Sequence, residues 1–315
     1  MSNETGNVLI TGGNGNLGRL VADQLLQRGQ RVVKFDLPGT EPDQERENEL
    51  VIAGDMRDSD KLEEIMSMYK PDTVYHLASL LSGSSENDLC AAWDINASAS
   101  FKLMNLALKT GVNKFFFAST IATYGTVDRD PMPEDYEQWP QNMYGATKVA
   151  VERQGVYFKL NHGLDFRCLR FPLVVSPYAP RTAVTAFPSH AFRSAIKSEA
   201  FKFPVSANVG MSTIFLQDVV DSIVQYTAAE GSGLSRHVYN LHAYYLSAGM
   251  VVDAVLQRFP EFKYSYEIDE NVEKLISCWP DVMDDSSARR DWNWNPAFNF
   301  TATANRMLEL LAIEK

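Results

Sequence analysis

The first half of the chain alternates short apolar runs with longer segments in which apolar residues recur every three or four positions. Val8–Thr11 is a compact apolar run before a glycine-rich turn, and residues 16–28 then place leucines and a valine on one helical face. Strands alternating with helices predict a parallel sheet covered by helices on both faces, because right-handed crossovers return the chain to the same sheet. The other strands predicted here are Arg31–Asp36, Glu49–Ala53, Thr73–Leu77, Lys114–Ser119 and Phe166–Phe171, with helices at 58–68, 88–109 and 142–161.

The pattern changes after residue 172, where Pro172, Pro177 and Pro180 predict a loop. The predicted fold is therefore an α/β, doubly wound Rossmann fold with a nucleotide-binding domain over residues 1–172. Residues 173–315 are predicted to form mostly a smaller substrate-binding lobe, with some segments returning to the main sheet. In this lobe we expect strands at Thr213–Leu216 and His237–Leu241 that extend the sheet, and helices at Phe187–Lys197, Asp218–Ala229 and Ser247–Phe259.

Charge and cysteine content narrow the possible partners. The net charge of −11 argues against nucleic acid or an anionic membrane, since both bind clustered positive charge. The three cysteines are scattered and the five histidines form no cluster, so we expect neither a metal site nor a catalytic histidine. The amino terminus is polar and no apolar run is long enough to span a bilayer, which predicts a cytoplasmic protein. We expect a monomer or a homodimer.

A glycine pattern, Gly12, Gly15 and Gly18, joins the first predicted strand to the first predicted helix. The first glycine permits a tight turn, the second lets a phosphate approach the backbone, and the third lets helix and strand pack closely. The helix N-terminus at Asn16 and Leu17 then presents N–H groups that bind a pyrophosphate. The pattern therefore predicts a dinucleotide site.

Asp36 ends the second predicted strand, where a carboxylate can accept hydrogen bonds from ribose hydroxyls. It would also repel a 2′-phosphate, because two like unit charges ~4 Å apart cost about 4 kcal/mol at an effective dielectric constant of 20. Asp36 therefore favours NAD over NADP as the cofactor.

Tyr144 and Lys148 are four residues apart at the start of a predicted helix, so they lie on one helical face. A nearby ammonium group favours the phenolate, so we expect Lys148 to lower the pKa of Tyr144 towards neutrality. Tyr144 would then act as a general base towards an alcohol. The hydroxyl residues that end the fifth predicted strand, Ser119 and Thr120, lie at the sheet edge where such folds bind ligands.

These features together resemble the extended short-chain dehydrogenase/reductases, the NAD-dependent epimerase/dehydratase group. The resemblance rests on TGGNGNLG with Asp36, GDMRD at 54–58, HLAS at 76–79, Asn96, STIATYG at 119–125 and YGATK at 144–148. It implies that Thr120, Tyr144 and Lys148 form the catalytic set and that Lys148 also binds the nicotinamide ribose. It further implies cofactor contacts at Asp55, Met56, Leu77, Ala78, Ser79, Asn96 and Pro172.

Two further segments, HLASLLSG followed by AAWDIN, and SCWPDVMDDSSARRDWNW, resemble the short-chain type of L-threonine 3-dehydrogenase. This resemblance implies oxidation of an amino-acid substrate, L-threonine, at C3. It places Ser82 and Trp279 at the substrate pocket, and Thr185 is the best match to a substrate-contacting threonine. The sequence departs from that group at RFPLVVS, where Leu173 replaces the usual glycine after the proline.

Three other functions fit the same motifs. An NAD-dependent sugar-acid (aldonate) dehydrogenase would share the loop serine and a related tail. A nucleotide-sugar 4-epimerase would need basic residues for the diphosphate, and those in the carboxyl-terminal part are few and scattered. A non-catalytic NAD-sensing protein of the same fold would not need the intact threonine, tyrosine and lysine set.

Overall fold

A seven-stranded sheet forms the centre of the computed structural model, which describes residues 6–40, 46–181 and 183–313. Its strands are β1 (Asn7–Thr11), β2 (Arg31–Asp36), β3 (Glu49–Ala53), β4 (Thr73–His76), β5 (Lys114–Thr120), β6 (Asp165–Phe171) and β10 (Val238–Asn240). Two smaller sheets contain β7 (Leu173–Val175), β8 (Phe201–Phe203), β9 (Gly210–Phe215), β11 (Tyr244–Ser247) and β12 (Tyr264–Tyr266).

The order of the central sheet is β10-β6-β5-β4-β1-β2-β3. The β1–β2, β2–β3, β1–β4 and β4–β5 pairs are all parallel. The strand order reverses between β1 and β4, and in open α/β sheets ligands bind in the crevice beyond the carboxyl ends of the strands at such a point. The predicted doubly wound α/β fold is confirmed, and its switch point places the candidate site after Thr11 and His76.

Helices connect the strands, and side-chain caps fix several of their amino-terminal ends. Asp58 accepts a hydrogen bond from the N–H of Lys61, and Asn142 accepts one from the N–H of Gly145. The helices are α1 (Asn16–Gln27), α2 (Ser59–Tyr69), α3 (Ser82–Asn87), α4 (Leu89–Trp93), α5 (Ala99–Thr110), α6 (Met143–His162), α7 (Phe187–Ile196), α8 (Leu216–Ala228), α9 (Ala248–Arg258), α10 (Glu270–Ser277), α11 (Ser286–Trp292) and α12 (Phe300–Ile313).

The chain forms two compact units. The first unit covers residues 1–120, 142–170 and 220–239, and the second covers 121–141, 171–219 and 240–315. Each unit has its own apolar core: Leu9, Leu103 and Phe166 belong to the first, and Phe192, Met211 and Val255 to the second. The division at residue 172 into a nucleotide-binding domain and a substrate-binding lobe stays a prediction about function.

Two predicted elements are corrected by the structure. The helix predicted at 88–109 is broken by a π-helical turn over Asp94–Ser98, between α4 and α5. The strand predicted at Thr213–Leu216 is the end of β9, which pairs with β7 and β11 in a separate sheet, and Leu216 already begins α8. The strand predicted at His237–Leu241 is confirmed as β10, which joins the central sheet. In the described ranges, no helix is both long and apolar enough to cross a bilayer.

Candidate active site

The glycine turn lies at the carboxyl end of β1 and leaves no room for a side chain at Gly12 or Gly18. Gly12 has a φ of +70°, and a Cβ there would lie 2.7 Å from the backbone nitrogen of Ala78. A Cβ on Gly18 would lie 2.1 Å from the carbonyl oxygen of Gly12, so a side chain would separate α1 from the turn. The first helical hydrogen bond runs from the N–H of Arg19 to Gly15, so the N–H groups of the residues between them point out of the helix end. This cradle fits the pyrophosphate of a dinucleotide, with Asn16 and Leu17 in the first turn.

Asp36 is half-buried at the end of β2, beside the glycine turn. Its carboxylate accepts hydrogen bonds from the N–H groups of Asn14 and Leu37, both at 2.8 Å, and these bonds fix its orientation.

Asp55 follows β3, and its hydrogen bonds with the Arg57 side chain lower the pKa of its carboxyl group. Met56 is buried in the core of the first unit. The cofactor contacts of Asp55 and Met56 stay predictions.

Asn96 holds the loop that follows β4. Its side-chain oxygen accepts from the N–H of Leu80 at 2.8 Å, and its amide nitrogen donates to Leu80 O at 3.0 Å and to Thr147 Oγ1 at 3.3 Å. Ser79 also donates to Asn96 Oδ1, at 3.3 Å. Asn96 lies in the π-helical turn, a feature that often occurs at functional sites. The structure therefore links Asn96 to the loop of Leu77, Ala78 and Ser79, while their cofactor contacts stay predictions.

His76 is buried between the end of β1 and the first turn of α5. Its Nδ1 lies 2.6 Å from Thr11 Oγ1 and its Nε2 lies 2.7 Å from Ser100 Oγ. Because Ser100 donates its one hydroxyl hydrogen to Asn96 O, His76 must donate from Nε2 and accept from Thr11 at Nδ1. Burial lowers the pKa of His76 to about 3, with a smaller contribution from the charge of Lys148, so the ring is neutral at pH 7.

Tyr144 and Lys148 lie one turn apart on α6, as the spacing predicts. The Lys148 Nζ donates to the carbonyl oxygen of Ala118 at 2.9 Å, two residues before Thr120 at the end of β5. The same nitrogen is 5.4 Å from the centre of the Tyr144 ring and 4.6 Å from that of Phe117. Thr120, Tyr144 and Lys148 all belong to the first unit, and their catalytic roles stay predictions.

The direction of the Tyr144 pKa shift differs from the sequence expectation. Burial raises the pKa of Tyr144 to about 12, whereas we expected the neighbouring ammonium group to lower it. Burial also lowers the pKa of Lys148 to about 8, which weakens the charge that would stabilise the phenolate. Desolvation disfavours the charged form of both groups, and sequence spacing carries no information about solvent access. At pH 7 the phenol is therefore protonated and the ammonium group keeps its proton.

The remaining predicted site residues lie on both units. Ser82 is the first residue of α3 in the first unit and is half-buried. Pro172, Thr185 and Trp279 belong to the second unit, where Pro172 separates β6 from β7 and Thr185 lies in a 3₁₀ turn. The half-buried Trp279 packs against two apolar clusters of the second unit. The substrate and cofactor contacts of these residues stay predictions.

Sequence reasoning missed a buried ion pair close to Lys148. Glu152, one turn after Lys148 on α6, pairs with Arg170 of β6 and accepts a hydrogen bond from Ser119. The available signal was a carboxylate at the position four residues after the lysine, on the helical face that packs against the sheet. Across the described parts of the chain, no group of three or more histidine, cysteine or carboxylate side chains could hold a metal ion.

Comparison with known proteins gives a family match over most of the chain. The model of the NAD dependent epimerase/dehydratase family matches residues 8–241. L-threonine 3-dehydrogenase, mitochondrial, from Sus scrofa is 30% identical over 305 residues, which cover 96% of this chain and 81% of that protein. The residues that match the family model include the glycine turn that forms the pyrophosphate cradle described above.

Solved structures of related proteins have the same fold over nearly the whole chain. L-threonine dehydrogenase from Clostridium difficile is similar with a TM-score of 0.91 and 28% identity, over 98% of both chains. UDP-glucose 4-epimerase from Thermotoga maritima has a TM-score of 0.84 and 22% identity, also over 98% of both chains. The likeness to the epimerase at this identity shows the shared fold alone.

Proposed function

Because the chain belongs to the NAD-dependent epimerase/dehydratase family, we propose that it oxidises L-threonine at C3 to 2-amino-3-oxobutyrate with NAD as cofactor. The observation that carries this proposal is the Tyr144–Lys148 pair on α6, whose lysine bonds to Ala118 near the carboxyl end of β5, in a chain 30% identical to a threonine dehydrogenase. Oxidation of an alcohol needs a proton acceptor at the hydroxyl and a hydride acceptor at the carbon. NAD supplies the hydride acceptor when it is bound.

All of the proposed cofactor residues except Pro172 belong to the first unit. The glycine turn and the first turn of α1 would hold the pyrophosphate, and Asp36 would accept hydrogen bonds from the adenosine ribose. Asp55 and Met56 would lie at the adenine, while Leu77, Ala78, Ser79, Asn96, Lys148 and Pro172 would line the rest of the dinucleotide.

Thr120 and Tyr144 would orient the substrate through hydrogen bonds to its hydroxyl group. The substrate proton passes to Tyr144 Oη, which must be ionised to accept it. Tyr144 and Lys148 titrate as a pair, so losing one proton from the pair creates some molecules with a phenolate beside an ammonium group. This form is the active base, and Lys148 stabilises it.

The amino-acid part of the substrate would lie near Ser82 on α3. The hydroxyl group of Ser82 and nearby backbone N–H groups would bind the carboxylate of the substrate. This arrangement suits a site without clustered positive charge. Trp279 would contact the methyl group and limit the size of the substrate, and Thr185 would be a further substrate contact. The site would then accept L-serine with a loss of about 1–3 kcal/mol in transition-state binding, the usual effect of one missing methyl group.

A substrate panel with absorbance at 340 nm tests the proposal. We expect NAD reduction with L-threonine, weaker turnover or inhibition with L-serine, and no turnover with D-threonine. Robust turnover of a sugar acid with L-threonine inert would instead assign an aldonate dehydrogenase. Conversion of UDP-glucose to UDP-galactose without net NAD reduction would assign an epimerase, and NAD binding with no turnover in the panel would favour a sensor.

A further inference from the structure

A fully buried carboxylate, Glu152, lies on α6 one turn after Lys148. Arg170 of β6 donates to it from Nε at 3.0 and 3.1 Å and from Nη2 at 2.6 Å. The guanidinium group is also buried, so each charge depends on the other for stabilisation in this apolar surrounding. The pair is therefore ionised, and its negative member is on the helix that carries Lys148.

Two side chains of α6 hold two consecutive residues of β5. Lys148 donates to the carbonyl oxygen of Ala118 at 2.9 Å, and Glu152 accepts from the hydroxyl group of Ser119. Thr120 is the next residue of the strand. These two bonds fix the end of β5 against α6 immediately before the proposed catalytic hydroxyl group.

The groups that face Lys148 come from three elements besides β5. His76 of β4 is neutral at pH 7, and burial raises the pKa of Cys168 on β6 well above its usual value, so its thiol is neutral too. On α6 itself, Tyr144 is a neutral phenol and Glu152 is a carboxylate. Among these groups Glu152 is the anion, and its partner Arg170 is the nearby cation on β6.

We propose that Glu152 is a positioning residue for the reaction: it holds the end of β5 against α6 and supplies the negative charge that keeps Lys148 protonated. The inference rests on the proposed roles of Thr120, Tyr144 and Lys148. Without this charge Lys148 would lose its proton more readily, and fewer molecules would carry the phenolate beside an ammonium group. Glu152 acts through Lys148 and Ser119 rather than by touching the substrate.

Nuclear magnetic resonance titration of lysine ¹³Cε signals in the protein without NAD or substrate tests the charge effect directly. The Lys148 signal is assigned by its loss in Lys148→Arg. Glu152→Gln keeps an oxygen acceptor for Ser119 but removes the charge, and we expect the Lys148 midpoint to fall by about one pH unit, as for loss of a nearby opposite charge. Ser119→Ala removes the tether but keeps the ion pair, so it should leave the midpoint close to that of the unaltered protein.

A matched control and a second variant keep the test decisive. Glu49, the first residue of β3, forms a buried ion pair with Lys34 of β2 at 2.8 Å. It lies at the amino-terminal end of its strand, whereas the candidate site lies at the carboxyl ends of the strands. Glu49→Gln should leave the Lys148 midpoint unchanged. If Glu152→Gln alone does not fold, the double variant Glu152→Gln, Arg170→Gln removes both buried charges. We still expect a lower Lys148 midpoint in the double variant, because the lost carboxylate lies on the same helix as Lys148, one turn away, whereas Arg170 lies on β6.

Turnover then tests the positioning role. In Glu152→Gln we expect kcat to fall at least tenfold, and the pH at which activity is half-maximal to move to a lower value with the Lys148 midpoint. Ser119→Ala should lower kcat without moving that pH. An unchanged Lys148 midpoint in a folded Glu152→Gln variant would overturn the inference. If the midpoint moves but L-threonine is inert in the unaltered protein, the substrate proposal fails and the role of Glu152 towards Lys148 stands.

Discussion

Tyr144 and Lys148 have opposite pKa shifts with one cause, the removal of both side chains from water. Lys148 loses its proton first, near pH 8, and the remaining proton is then shared between the amine and the phenol. Only the arrangement with the proton on nitrogen has a phenolate that can accept the substrate proton. In the proposed mechanism the base therefore forms with the first proton loss, well below the pKa of about 12 of Tyr144.

This coupling predicts the pH dependence of oxidation. We expect kcat/KM for L-threonine to rise about tenfold per pH unit below pH 8 and to level off above it, because one proton leaves the pair. Tyr144→Phe should lower kcat about a thousandfold, the usual size of a general-base effect, while NAD still binds. Steady-state rates between pH 6 and 10 measure the profile, and NAD titration of the variant serves as the control. A flat profile in the unaltered protein would refute the paired titration.

Asp36 predicts the choice of cofactor. Its carboxylate would repel a 2′-phosphate, so kcat/KM should be much higher with NAD than with NADP. Asp36→Asn removes the charge and keeps one of the two oxygens that accept the N–H groups of Asn14 and Leu37. We expect it to reduce the preference for NAD at least tenfold, since the repulsion is worth about 4 kcal/mol. Asp60→Asn, an exposed change on α2, should leave the ratio unaltered. Equal efficiency with both cofactors in the unaltered protein would contradict this role.

His76 should make the protein sensitive to acid. Its pKa is about 3 in the folded state and about 6.5 when unfolded, so below pH 6.5 the unfolded chain binds a proton that the folded chain excludes. The contribution of His76 to the unfolding free energy is fully present above pH 6.5 and is lost as the pH falls towards 3. Between pH 7 and 5 this difference amounts to about 2 kcal/mol of unfolding free energy.

Urea unfolding at pH 7 and pH 5 measures that loss. The glutamine of His76→Gln cannot take up the proton. The unfolding free energy of this variant should therefore fall by about 2 kcal/mol less than that of the unaltered protein between pH 7 and pH 5. An identical fall in both proteins would show that His76 does not titrate on unfolding.

The α8 helix depends on a buried arginine of β6. Arg167 donates from Nη1 to the carbonyl oxygens of Tyr226, Thr227 and Ala229 at 2.6, 3.1 and 2.8 Å, at the end of α8 where most carbonyl groups lack the usual helical hydrogen bond. Arg167→Met removes this donor from all three carbonyl groups, although Tyr226 O keeps the N–H of Ala229 and Thr227 O keeps the Lys114 ammonium group. We therefore expect the unfolding free energy to fall by about 2 kcal/mol, the size expected for lost hydrogen bonds from a charged donor. Arg306→Met, an exposed residue paired with Glu309, should change it by less than about 1 kcal/mol. Equal effects in urea unfolding would contradict the capping role.

Periodicity predicted the elements that carry the site because they are long or fully apolar. The run before Gly12 and the helical pattern at 142–161 needed only local spacing, and both are present as β1 and α6. The π-helical turn at Asp94–Ser98 was not predictable, because the apolar spacing of a helix does not register one extra residue in a turn. Strands of three residues, such as β7 and β8, are too short to show alternation.

The site residues divide in the same way. Gly12, Asp36 and the Tyr144–Lys148 spacing could be chosen from the chain because motif and position are local. The direction of the Tyr144 shift and the Glu152–Arg170 pair could not, because both depend on which side chains the fold takes out of water. A distant partner such as Arg170 leaves no mark in the spacing around Lys148.

The likeness to threonine dehydrogenases extends over the whole chain rather than over the nucleotide-binding part alone. The Sus scrofa protein aligns with 96% of the residues, and the Clostridium difficile structure with 98%. The second unit, which contains Thr185 and Trp279, is therefore part of the similarity. The structure of the UDP-glucose 4-epimerase also covers 98% of this chain, so the breadth of the likeness shows a shared fold of both units and does not distinguish between substrates.

Transfer of deuterium from L-threonine labelled at C3 tests the proposed reaction most directly. The protein is incubated with NAD and L-[3-²H]threonine, and the reduced cofactor is analysed by mass spectrometry, with Tyr144→Phe as the matched control. We predict that the unaltered protein forms NADH carrying one deuterium, and that Tyr144→Phe forms it about a thousandfold more slowly. Absence of deuterium from the NADH, or equal rates in the two proteins, would contradict hydride transfer from C3 with Tyr144 as the base.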